Sequence, residues 1–415
     1  MTIRFCPGES PHWFAFRNEG RDWIRIRASI LQTEITFPAL ERLEIAYGRG
    51  LAGSAFSDLT ILNVTRDDVD QFRCGIPYGN PAGALRMSGT VQGRDANDYV
   101  YLHMGTAFDI VFNGSGHFDL LGLGPGKADL IGIARTDGTA PSDGLLILRR
   151  DIDVVNFGAI SLVDFNSAEA KPSSSASVTV GDSPFSSLYS AVMFRSANGT
   201  VAEIHSLSSA ASQAVPIAGV SADQVVAGDR HTVLVSAFAS GSGTLQLRDV
   251  SYPTNALKDT TVELGPLLST SDVDTLATDP LVRLRISLPR QPEYASAAST
   301  QMVQLADGGF REVLVVVSSA YAGTATDWTI ETPDLTGIPD FPTSWMLQRN
   351  QPTGIDVRAT SGPPATLTGA LLPLEGQQTR SAMRNVNNAF TPVGTTLPWR
   401  TYRGGRFLPV STVGR

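Results

Sequence analysis

Apolar and polar positions alternate with period two along most of this chain, the spacing that turns one face of a β-strand to a core and the other to water. Near the start, Trp13-Phe14-Ala15-Phe16 runs into the turn Asn18-Glu19-Gly20, after which Trp23-Ile24-Arg25-Ile26-Arg27 sets two isoleucines opposite two arginines. This predicts a hairpin with one wet face. Apolar segments at 35–37, 43–47 and 59–64 continue the series. Thr65-Arg66-Asp67-Asp68 suits the start of a short helix through Val69 and Phe72, with the Thr hydroxyl accepting a backbone N–H and the acidic first turn favoured by the helix dipole. Residues 1–76 read as a small β-sandwich with a helical tail. Two prolines and two glycines in 77–84 then interrupt any ladder and mark a linker.

A second module, 85–170, opens with Met87-Ser88-Gly89-Thr90-Val91 and continues through strands near 99–102, 108–112, 115–120, 128–134, 144–149 and 160–165. The Gly-x-Val opening, the return Gly116-His117-Phe118, and Leu123-Gly124-Pro125-Gly126 before another strand resemble the carboxypeptidase regulatory-like domain, a transthyretin-like sandwich. The likeness covers about residues 85–135. Gly124 and Ala128 depart from the family's usual residues, which leaves a generic immunoglobulin-like sandwich as the alternative. The resemblance implies a non-catalytic accessory module of exported proteins, with no active-site residues. Its turn residues are expected to act structurally: Gly116 in a positive-φ turn, Pro125 and Gly126 in the next, with Phe118 and Leu120 pointing inward.

Residues 171–184, rich in Ser, read as a linker holding at most one strand at 178–180. Strands follow at 189–195, 201–207, 233–238, 245–250, 282–288, 313–317 and 328–331, with Asn198-Gly199 as a hairpin turn and one short helix expected at Ser271-Asp272-Val273-Asp274. Two sandwiches, 185–290 and 291–415, are expected here, with one larger domain as the alternative. The fold class is all-β, several antiparallel sandwiches in tandem.

Length and composition sharpen this picture. A chain of 415 residues exceeds one core, and 42% hydrophobic against 17% charged residues fits a folded protein. The net charge of −8, with arginines scattered and only Lys127, Lys171 and Lys258 as lysines, argues against nucleic acid and against a polybasic membrane patch. No apolar run approaches 18 residues, so no membrane insertion is expected, and the first residues do not resemble an export signal. Cys6 and Cys74 bracket the first module. A disulfide between them would contribute on the order of 4 kcal/mol, while two inert thiols in a reducing compartment are the alternative. The bridge, together with a strand that begins almost at Met1, favours an extracytoplasmic protein whose leader or anchor is missing from this sequence.

Candidate chemistry is sparse. There is no Gly-x-Ser-x-Gly elbow, and Ser240-Gly241-Ser242-Gly243 has the look of a flexible turn. Cys6 with His12 is a weak nucleophile pair, and His117, Asp119 and His103 form a conceivable zinc trio. Asp67, Asp68 and Asp70, or Asp272 and Asp274, could offer oxygens to calcium, but acidic helix starts explain both groups. Trp13, Trp23, Trp328, Trp345 and Trp399 are candidates for stacking on sugars or, more simply, core anchors. No catalytic residue, metal site or cofactor is expected. The function read from the sequence is a non-catalytic exported protein with a structural or interaction role, open to a protein partner, a glycan or self-assembly. A carbohydrate-binding protein is the alternative and a glycan-active hydrolase a more distant one.

Overall fold

The structure is a computed structural model, and it describes residues 2–4, 11–27, 34–50, 56–69, 85–93, 95, 98–105, 107–136, 144–181, 186–210, 214–241, 244–306, 309–349, 351, 353–361 and 379–386. The protein is nearly all β, built of several largely antiparallel sheets. The 77–84 linker, Cys6, Asp70, Phe72, Cys74 and Trp399 lie outside the described residues.

The first segment forms β1 (Thr2–Arg4), β2 (Trp13–Asn18), β3 (Ile24–Ile26), β4 (Glu34–Thr36), β5 (Arg42–Gly50), β6 (Phe56–Thr65) and the one-turn helix α1 (Arg66–Val69). The β2–β3 hairpin pairs Phe14 with Ile26 and Phe16 with Ile24. The expected wet face of β2 is absent, because Trp13 and Ala15 enter one core while Phe14 and Phe16 enter another on the opposite face. Arg25 lies over the Trp13 ring, and it is Ile24 that reaches solvent.

The second segment forms β7 (Leu85–Gln92), β8 (Asp98–Met104), β9 (Ala107–Val111), β10 (Ser115–Leu123), β11 (Gly126–Thr136), β12 (Leu145–Val154), β13 (Gly158–Asp164) and β14 (Lys171–Pro172). A three-stranded sheet, β10-β7-β13, faces a five-stranded one, β14-β12-β11-β8-β9. Met87, Val91, Leu102, Phe118, Leu120, Leu130 and Ile147 fill the space between them.

The third segment starts at β15 (Ser174–Val180), inside the expected linker, and continues through β16 (Ser187–Arg195), β17 (Val201–Ala210), β18 (Ala214–Gly219), β19 (Arg230–Gly241), β20 (Thr244–Thr254) and β21 (Thr260–Val262). Residues 171–181 are therefore no free linker. β14 completes the preceding sandwich beside β12, and the small side chains of β15 let it pair with β18 and β21 while Val178 and Val180 enter the core.

The last segment forms β22 (Asp272–Ala277), β23 (Arg283–Pro289), β24 (Ala297–Ala306), β25 (Gly309–Ser318), helix α2 (Ser319–Ala322), β26 (Asp327–Glu331), β27 (Thr353–Thr360) and β28 (Thr379–Val386). The helix expected at 271–274 is strand β22, where Val273 turns to the core and Asp274 stands across from Arg285, an opposite-charge pair that favours the ladder. β22 and β23 join β26 in one sheet, so the split expected near 289–292 falls inside a sheet.

Twelve strands from three segments make one continuous sheet, ordered β17-β16-β19-β20-β28-β27-β24-β25-β6-β5-β2-β3. Its first-segment strands join through β6, which runs parallel to β25, with Leu59 against Val313 and Ile61 against Val315. The first segment encloses a small core of its own, where β1 and β4 pair over β2, β5 and β6 around Ile3, Phe14, Ile35 and Leu43, while its larger sheet continues through β25 into the last segment. The sheet is covered on both faces around β6: Leu59 and Ile61 meet Leu284, Ile286 and Trp328 on one side, and Leu62 and Val64 meet Phe14, Ile35 and Phe37 on the other. At the far end, β15, β18 and β21 cover β16, β19 and β20 around Val192, Val233 and Val250.

Candidate functional site

In the 85–170 sandwich, Phe118 and Leu120 are fully buried. Gly116 lies within β10, and the positive φ values fall earlier, at Asn113 (63°) and Gly114 (71°), because the chain turns before the strand begins. The glycine that the packing does require is Gly89, across the ladder from Phe118: a Cβ there would sit 2.7 Å from the Phe118 ring and 2.8 Å from the Ile160 carbonyl. Pro125 and Gly126 (φ 115°) lie where the chain crosses from β10 to β11 in the facing sheet.

The metal and sugar candidates are not assembled. His117 Nε2 is 3.6 Å from Asp119, but that carboxylate is already held by Arg86 at 2.7 Å, and the Arg86 hydrogen bond keeps it below the ordinary carboxylate range. His103 belongs to the facing sheet, beside the Phe108 ring. Among the described residues no group of three His, Cys, Asp or Glu could hold a metal. Asp68 accepts from the Thr65 amide and hydroxyl and from Ser318 Oγ at 2.5 Å, so Thr65 donates to the cap where it was expected to accept. Trp13, Trp328 and Trp345 are buried, and Trp23 is half-buried under Arg17.

Large apolar side chains reach solvent chiefly on the 85–170 sandwich. Of the eight among the described residues, five are there: Phe112, Leu121, Val155, Phe157 and Leu162. Leu121 pairs with Arg86, and Phe157 precedes Gly158, which pairs with Met87, so both flank the same end of β7. Phe157 is 74% exposed at φ 59°, a conformation that strains a bulky side chain. Side chains occupy part of each outer edge of this sheet. Arg149 donates to the Ser161 and Leu162 carbonyls on β13, and Asp109 accepts the Asp119 amide on β10.

The densest polar cluster lies where this sandwich meets the 174–264 sandwich. β12 bulges opposite Asp129, with Asp151 at φ 56°, which aims the Asp129 carboxylate at the neighbour. Arg150 donates to Asp129 at 3.1 Å, to Asp229 at 2.6 and 2.9 Å, and to the Gln224 carbonyl. Both carboxylates are fully buried. Burial pushes the Asp129 pKa up, but hydrogen bonds from Asn198, the Asp151 amide, Ser196 and Arg150 outweigh it and hold the group below the ordinary carboxylate range. Thr200 Oγ1 donates to the Asp129 carbonyl and accepts from the Gly105 amide. Arg135 donates to the Glu203 and Ile204 carbonyls on the edge of β17. Beside these contacts Ile131, Ile133 and Leu146 pack against Phe194, Ala202, Ile204 and Val220. Such a cluster fixes orientation, since removing one partner strands a buried charge.

A serine–histidine contact also occurs: Ser190 Oγ lies 3.1 Å from His205 Nε2. Both residues are fully buried, and the hydroxyl also reaches the Pro216 carbonyl. A nucleophile needs access to its substrate, and this pair is buried in the packing of β16 and β17. Neither it nor the Arg150 cluster was nominated from the sequence. The signal for the latter was a carboxylate inside the apolar run Ala128-Asp129-Leu130-Ile131. No protein-family model matches the chain, and no curated protein matches it.

Proposed function

We propose that the protein is a non-catalytic, exported β-sandwich protein with a structural or interaction role at the cell surface or in the periplasm, and that the 85–170 sandwich presents its partner surface. The observation that carries this reading is the concentration of exposed apolar side chains on that sandwich, headed by Phe157. Its likeness to carboxypeptidase regulatory-like modules supports an accessory role. The partly occupied edges of β10 and β13 favour contact through the Val155–Phe157 end over strand addition. Glycan binding is the weaker alternative, because three of the candidate tryptophans are core residues and stacking would fall to Phe112 and Phe157.

The test is a photoreactive phenylalanine analogue at position 157 of the full chain, irradiated in an envelope extract of the source organism, beside a glycan array. Adducts with one defined protein, competed by unlabelled chain, support the reading. Array binding without protein adducts replaces it with the glycan alternative, and neither signal contradicts it. Export is tested separately: protein from an oxidising compartment should show a mass lower by two hydrogens, from a Cys6–Cys74 bridge, and two free thiols there would remove that support.

A further inference from the structure

His231 on β19 stands within the 174–264 sandwich, directly behind the residues that meet the 85–170 sandwich. It stands across the ladder from Phe194, with the two rings 4.9 Å apart, and its Nε2 accepts the Val220 amide at 3.0 Å. Phe194 and Val220 both belong to the apolar contact that holds the joint between the two sandwiches. The ring is fully buried, and a Cβ on Gly219 would fall 2.8 Å from Nε2.

We propose that His231 makes this joint acid-sensitive, so that protonation releases the 85–170 sandwich from its neighbour before either sandwich unfolds. The ring nitrogen that accepts from Val220 is the one that carries no proton in the neutral form. A second proton must enter there, setting N–H against N–H and breaking the Val220 hydrogen bond behind the joint. The groups around the ring offer little compensation. From β16 comes the apolar Phe194 ring, and from the 219–220 stretch an amide donor. The backbone at Thr254 and Asn255 favours the cation, as does Asp229, but Asp229 is engaged by Arg150 from β12 and by the Ala197 and Val226 amides. Burial dominates and pushes the His231 pKa down to about 4. On the next edge, Arg135 crosses the joint toward β17, close enough to disfavour a charge on His205 as well.

Hydrogen exchange on the full chain from pH 7.5 to 5, corrected for the intrinsic pH dependence of exchange, tests this. Protection at the Val220, Val201 and Gly105 amides should fall about 30-fold, the ratio given by a site near 4 closed and 6.5 open. Amides of Leu102 and Ile147 in the 85–170 core should keep theirs. His231→Gln retains an acceptor for Val220 and cannot be protonated, so its joint amides should stay protected at pH 5. Joint and core amides failing together in the wild-type chain would overturn the proposal, as would an unchanged acid response in His231→Gln. If that variant does not fold, the order of loss in the wild-type chain decides alone.

Discussion

The 174–264 sandwich is attached to its two neighbours by different physics. Toward 85–170 the attachment is made largely by side chains: Arg150 between two buried carboxylates, Arg135 on the carbonyls of β17, and an apolar patch around Phe194 and Val220. Toward 268–360 it is a shared ladder, in which β28 stands between β20 and β27 with six paired positions on each side. Side chains reinforce that ladder, through Ala382 in the core, Arg380 on the Glu263 carbonyl, and Tyr294 Oη on the Leu264 and Pro266 carbonyls. A side-chain joint can be undone by one residue or one proton. A backbone ladder tolerates most substitutions and fails when its hydrogen bonds are removed.

The largest expected effect falls on the side-chain joint. Arg150→Ala leaves Asp129 and Asp229 buried without their cation, so it should lower the stability of the docked state by about 3–5 kcal/mol. Urea unfolding followed by exchange at Thr200 and Gly105 measures this, and a loss below 1 kcal/mol would make the cluster incidental. The ladder should yield instead to Ala382→Pro, which removes an N–H from a central strand, at a cost of about 3 kcal/mol. Far-ultraviolet dichroism during urea unfolding should show both flanking sandwiches weakened. Ala382→Ser, which keeps the backbone, serves as the control.

Acid also acts inside the 174–264 sandwich, where His205 is buried beside Ser190, apart from either attachment. Burial, reinforced by Arg135, pushes the His205 pKa down to about 4 from an ordinary 6.5. The unfolded chain therefore binds more protons between these values. The contribution to stability is full above pH 6.5 and declines as the pH falls to 4, by up to about 3 kcal/mol. Denaturation midpoints against pH, in wild type and His205→Gln, report it, and a midpoint independent of pH across that window would refute it. The smallest effect belongs within the 85–170 sandwich. Gly89→Ala forces a methyl group against the Phe118 ring and should cost about 1–3 kcal/mol, seen as a lower melting temperature for that sandwich with the ladder unaffected.

These contrasts also explain what could be read in the sequence. Strands whose faces differ were legible: β23 alternates Arg283, Leu284, Arg285, Ile286, with the apolar members buried. Phe118 and Leu120 could be placed inward for the same reason. The pairing of β6 with β25 and of β28 with β20 was not legible, because ladder hydrogen bonds join backbones far apart in sequence and leave no side-chain signature. β2 is harder to read, because its apolar residues at successive positions, Trp13 to Phe16, serve two cores on opposite faces and leave no wet face. The joint escaped notice because Arg150 and Asp229 are ordinary surface residues until a second sandwich covers them.

Calorimetry of the intact chain at pH 7, alone and as Arg150→Ala, tests the difference between the attachments most directly. Two transitions are predicted, one for the 85–170 sandwich and one for the sandwiches joined by the twelve-stranded sheet, with Arg150→Ala moving mainly the first to lower temperature. A single transition that shifts as a whole in the variant would contradict the account, since both attachments would then be equally cooperative.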